Sequence, residues 1–98
     1  MSEPVLAPAD VDAALAEQGI AWERQDDQLT TTVTLRDFAG ALAFVNAVGA
    51  AAEAANHHPD IDIRWNKVRL VLTTHSAGGL TVLDLALAAA IERLRPQR

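Results

Sequence analysis

The chain contains no cysteine among its 98 residues. That absence excludes disulfides, thiolate metal centres and cysteine nucleophiles. Positive charge is also scarce: eight lysines and arginines stand against thirteen aspartates and glutamates, a formal net charge of −5. Nucleic-acid binding depends on neutralising phosphates with basic side chains, so no nucleic-acid partner is expected. The opening residues, MSEPVLAPAD, lack the basic stretch and apolar run of a signal peptide. No apolar run is read as reaching membrane-spanning length, and no membrane partner is expected. There is no internal repeat and no linker. The chain reads as one cytoplasmic domain over residues 8–98, preceded by a flexible tail, residues 1–7.

What is present is patterned. Residues 8–19, PADVDAALAEQG, predict a short helix with Val11, Ala14 and Leu15 on one face and Gly19 as its stop. IAWERQ and LTTTVTL predict two strands separated by DDQ; in the second, Leu29, Thr31, Val33 and Leu35 alternate with threonines. A long helix follows over residues 37–56. Phe38, Ala41, Leu42, Val45, Val48, Gly49 and Ala52 form its predicted core stripe. The other side carries Gly40, Ala43, Ala47, Ala50 and Ala54. Alanine favours helix on its own account, but an apolar all-round helix is usually buried, which points to a second helix from another subunit. Pro59 ends the helix near NHH. Strands are expected over residues 60–65 and 68–75, and Thr81 opens a closing helix with Leu80, Leu83, Leu87, Ile91 and Leu94 on one side. The order α-β-β-α-β-β-α predicts an α+β fold, a four-stranded antiparallel sheet with helices on one face.

The chain has three histidines, and two of them, His57 and His58, are adjacent in NHHPD. With Asn66-Lys67 as a hairpin tip, Trp65 faces Val68, Ile63 faces Leu70 and Ile61 faces Leu72 on one apolar face. The same register sets His58 opposite His75, and directly opposed Cβ atoms lie about 4.5–5.5 Å apart. It also makes Arg64 and Arg69 neighbours, with Asp62 diagonal to one of them. Glu53 precedes His57 by four residues and joins it on one surface. The expected cluster is Glu53, His57, His58 and His75.

Two or three imidazoles can divide proton donation and acceptance near neutral pH. General acid–base help of this kind is worth about 10²–10⁴ in rate. Three histidines and a carboxylate could instead hold zinc or iron, although the spacing matches no helical metal signature. Plainer roles exist for each residue. Histidines at a helix C-terminus interact with its dipole. Thr81-x-x-Asp84 is a capping-box start. Trp22 and Trp65 suit a core, and Gly78-Gly79 suit a turn.

The spacing Glu53-x₃-His57-His58-Pro59-x₅-Trp65-x₉-His75-x₈-Asp84, within NHHPDIDIRWNKVRLVLTTHSAGGLTVLD, resembles the pterin-4a-carbinolamine dehydratase family. Trp22 and the element order extend the likeness along nearly the whole chain. The chain differs at Asn56, where well-known members often carry aspartate. The resemblance implies dehydration of a 4a-hydroxytetrahydropterin, such as 4a-hydroxytetrahydrobiopterin, to the quinonoid dihydropterin. That reaction recycles the product of aromatic amino acid hydroxylases, with no cofactor and no metal. It implies His57 and His75 as the acid–base pair, His58 as a pterin contact with catalytic support, and Glu53 and Asp84 as supporting groups. Trp22, Asn56 and the backbone around Thr73 and Thr74 would line the pterin site. Family members form dimers through their sheets or tetramers through their long helices, so a homodimer or homotetramer is implied. Alternatives on the same fold are a dimerisation or assembly factor and a metal-binding module.

Overall fold

The computed structural model describes residues 3–96; Met1, Ser2, Gln97 and Arg98, at the ends of the expected tail and domain, lie outside the described residues. The elements are α1 (Pro8–Gln18), β1 (Glu23–Gln25), β2 (Gln28–Thr34), α2 (Phe38–Ala55), β3 (Asp60–Arg64), β4 (Lys67–Leu72) and α3 (Val82–Glu92). All strand pairs are antiparallel in the order β1-β2-β4-β3. The helices cover one face of the sheet, as the order of elements requires.

Alternation decides which side of each strand is covered. Leu29, Val33 and Leu35 lie in the core with Val68, Leu70 and Leu72, while Thr32 and Thr34 face solvent. Val11 and Leu15 bring α1 onto this layer; Leu87, Ala88 and Ile91 do the same for α3. Leu83, expected on the buried stripe of α3, is 36% exposed. Pro8 begins α1, where its missing N–H breaks no helical bond, and Gly19 closes it at φ 64. A paired Arg24 and Asp12, Nε to Oδ1 at 2.8 Å, ties β1 to α1. The guanidinium donates to Asp12 and holds that carboxyl below its usual range.

Helix α2 is the element whose outward character differs most from expectation. Its buried residues are Ala41, Phe44, Val48 and Ala52, whereas Phe38 and Leu42, expected in the stripe, are 45% and 42% exposed. Phe44 turns the helix: its ring enters the core, and the predicted stripe rotates out at its N-terminal end. Mean hydropathy over these 18 residues is 1.5, so by length and composition the helix could cross a membrane, contrary to the sequence reading. At 1.5 Å per residue it is about 27 Å long, near bilayer thickness. Its buried residues, Ala41, Phe44, Val48 and Ala52, join the core cluster shared with the strands and α3.

The β3–β4 hairpin also corrects the sequence reading. Ile61 faces Leu70 and Ile63 faces Val68, a shift of two residues from the predicted pairing, and the turn is Trp65-Asn66. A two-residue shift keeps every side chain on its original face, so apolar alternation could not distinguish the registers. Contacts outside the hairpin choose between them. Asn66 donates its Nδ2 to Leu35 O at 2.9 Å, and Leu35 N donates to Asn66 O at 2.7 Å. The observed register also sets Asp62, not Arg64, opposite Arg69, replacing like charges with opposite ones. Trp65 takes the left-handed backbone at φ 54 and is 66% exposed rather than core.

Candidate functional site

The end of α2 determines where the two adjacent histidines go. Asn56 adopts φ 50, ψ 44, its N–H reaches Glu53 O, and the His57 N–H donates to Ala52 O at 3.1 Å. This is a Schellman-type termination with asparagine at the left-handed position, a conformation asparagine tolerates better than most residues. The reversal breaks the expected alignment of Glu53 with His57. Glu53 pairs instead with His58, Oε2 to Nε2 at 2.6 Å, on the surface. His57 turns inward and is 9% exposed.

Inside, His57 Nε2 lies 2.6 Å from Asp84 Oδ1. Asp84 is fully buried at the start of α3. Its other oxygen accepts from the Thr74 hydroxyl at 2.7 Å and from the Thr81 N–H at 2.9 Å. Thr81 Oγ1 in turn accepts from Leu83 N at 3.2 Å and lies 2.9 Å from Thr74 Oγ1. Because Thr74 gives its only hydroxyl proton to the carboxylate, the Thr81 hydroxyl is the donor of that pair. Protons thus run in one direction, from Thr81 to Thr74 to Asp84. Every neighbour of Asp84 is a donor, as an acceptor-only carboxylate needs. A carboxylate here makes His57 Nε2 carry the hydrogen and leaves Nδ1 with a free lone pair in the neutral ring. The capping box is real and is also part of this network.

The predicted residues therefore fall into separate groups. His58 and His75 are not cross-strand partners, because ladder pairing ends at Asp60 with Val71. His75 lies in the turn beyond β4, exposed, and its side chain has no hydrogen bond or ion pair with the described residues. Among those residues, no three histidines or carboxylates are arranged to hold a metal ion. Thr74 is bound into the turn: its N–H donates to Gly79 O at 3.1 Å and its carbonyl accepts from Ala77 and Gly78. It has no N–H left for a ligand and acts through its hydroxyl on Asp84. The Thr73 hydroxyl donates to Asp27 O at 2.8 Å. Trp22 is in the core at 4% exposure, and its Nε1 has no hydrogen-bond partner among the described residues. The sequence analysis missed Thr81 as a member of the network; the Thr81-x-x-Asp84 signature carried that information.

The family model described as pterin 4 alpha carbinolamine dehydratase matches residues 4–94. A protein of Chloroflexus aurantiacus, provisionally named a pterin-4-alpha-carbinolamine dehydratase, is 50% identical over 91 residues, 93% of this chain and 97% of its own. A protein of Acidobacterium capsulatum with the same provisional name is 57% identical over 74 residues, 76% of this chain and 80% of its own. Among solved structures, a transcriptional coactivator/pterin dehydratase from Brucella melitensis superposes with TM-score 0.86 at 26% identity, covering 94% of this chain and 99% of that one. A pterin dehydratase-like protein described as a RuBisCO assembly factor in the alpha-carboxysome has TM-score 0.64 at 21% identity, over 81% and 92% of the two chains, a likeness of fold alone. By sequence and by fold, this chain belongs to the pterin 4 alpha carbinolamine dehydratase family.

Proposed function

We propose that this chain is a dehydratase that converts a 4a-hydroxytetrahydropterin to the quinonoid dihydropterin and water, recycling the pterin used by aromatic amino acid hydroxylases. The observation that carries the reading is the buried His57–Asp84 pair at 2.6 Å, in a chain of this family. The reaction removes the N5 proton, breaks the C4a–O bond and forms the N5=C4a double bond. The hydroxyl leaves as water after gaining a proton. No electrons pass to an acceptor, so the reading needs no redox cofactor, and in it histidines rather than a metal supply the acid and the base.

In this proposal His57 is the base. Asp84 keeps hydrogen on Nε2, so Nδ1 receives the N5 proton. His75, exposed to solvent, supplies the proton to the leaving hydroxyl and is recharged from water. His58 contacts the pterin, with its ring oriented by Glu53. Stopped-flow absorbance of freshly made substrate tests the assignment. His57→Ala and His75→Ala are each expected to lower the enzymatic rate at least about tenfold, one acid–base group's contribution. Unchanged rates in both variants would refute it.

A second feature concerns self-association. Phe38, Leu42, Ile61 and Trp65 are all more than a third exposed, on α2, the edge strand β3 and the hairpin tip. We propose that these apolar surfaces are covered by further copies of the chain, as a homodimer or homotetramer. This assembly is compatible with catalysis.

A further inference from the structure

We propose that the segment ahead of α1, Val5 and Leu6, is a positioning strap for the His57–Asp84 pair; its effect on turnover rests on the dehydratase reading, its effect on His57 does not. Leu6 donates its N–H to Leu80 O at 2.8 Å, and Val5 lies against Gly79. The identity of Gly79 points to the importance of this contact. Gly78 has φ 78 and needs glycine for its backbone, but Gly79 is not in the left-handed region. What a side chain at Gly79 would meet is Val5: an added Cβ would come within 2.9 Å of Val5 Cγ1, its nearest neighbours are all atoms of Val5, and Val5 or the turn would have to shift. Glycine is thus matched to the strap.

The link to the site is continuous. Gly79 accepts the Thr74 N–H through an isolated antiparallel bridge. Thr74 donates its hydroxyl to Asp84 Oδ2, and Asp84 Oδ1 holds His57 Nε2. Leu80, the residue gripped by Leu6, directly precedes Thr81, whose N–H also donates to Asp84. Both threonines that orient the carboxylate are therefore attached to the two-residue stretch beneath the strap. Displacing that stretch moves the donors of Asp84 and, through it, the His57 ring. Val5 and Leu6 are positioning residues and touch no reacting atom.

A pair of substitutions tests this without removing any site residue. Gly79→Ala sets a methyl group against Val5 Cγ1, and the proposal is that the turn, not only the Val5 side chain, gives way. It is expected to lower kcat about tenfold, with KM changed less, as for a small misplacement of a catalytic group. It is also expected to shift the ring ¹⁵N resonances of His57. Adding Val5→Ala deletes both methyl groups nearest the new Cβ. Val5 is 53% exposed, so the truncation removes little core packing. The double variant is expected to recover wild-type His57 resonances and turnover within about twofold, because the new Cβ takes the place of the lost Val5 methyls against the turn and the Leu6 N–H still holds Leu80 O. A Gly79→Ala protein with wild-type His57 resonances overturns the proposal, as does a double variant as impaired as the single one. If Gly79→Ala alone fails to fold, recovery of folding and the His57 signature in the double variant supports the strap, and failure of both overturns it. Absence of dehydratase turnover in the wild-type protein would instead refute the proposed function and leave the resonance test intact.

Discussion

Asp84→Asn is the most informative single change because it alters proton placement while keeping shape. On one side of Asp84, the Thr74 hydroxyl and Thr81 N–H both require an acceptor. The asparagine carbonyl must stay there, so its NH₂ turns toward His57 Nε2. Two donors cannot face each other at the 2.6 Å separation of the native pair. The imidazole must present a bare Nε2, and its hydrogen moves to Nδ1, the atom the proposed chemistry needs free. Loss of a charge-assisted bond costs about 1–2 kcal/mol. In a domain of this size that lowers Tm by about 5–15 °C, leaving most of the protein folded at 25 °C. Turnover should fall about a hundredfold or more, within the range for a general base. Asp84→Ala is less useful, since three orphaned donors cost about 3–5 kcal/mol, a large share of a total near 5–15 kcal/mol. Stopped-flow turnover, thermal melts and ¹⁵N-detected tautomer assignment of His57 together decide the matter. An Asp84→Asn protein with wild-type turnover and hydrogen still on Nε2 would show that the carboxylate does not set the tautomer.

Three other outcomes follow from the geometry. Asn56 occupies the left-handed position, so Asn56→Gly should leave Tm within a degree or two, whereas Asn56→Val should cost about 1–2 kcal/mol; equal melting temperatures would disprove the cap argument. Asp12 is more acidic in the folded chain because of Arg24, so the pair's stabilisation is present above the usual carboxylate range and disappears as pH falls through the folded value. Asp12→Asn should flatten the acid limb of a Tm–pH curve slightly, the pair being exposed, and a steeper limb would contradict the sign. Leu42→Glu puts a charge on the exposed apolar side of α2; sedimentation velocity should show a smaller species than wild type, and a wild-type monomer would remove the proposed assembly.

The element order and the α3 capping box were legible because they depend on local chemistry: alternation in Leu29–Leu35, the Pro59 stop, and Thr81 three residues before Asp84. The family likeness was legible for the same reason, as a spacing along the chain. The hairpin register was not. Its two candidates present identical faces, and the choice lies in Asn66 meeting Leu35, residues 31 apart in sequence.

The partner of each histidine shows the same division. By itself, the sequence determined that α2 ends at NHHPD and that Asp84 opens α3, since breakers and caps act over a few residues. Only the tertiary structure decided that His57 turns inward to Asp84 while His58 stays outside with Glu53. One residue, Asn56, changes backbone hand there, and the gain depends on what the packed core offers on either side: a buried carboxylate with its donors, or water.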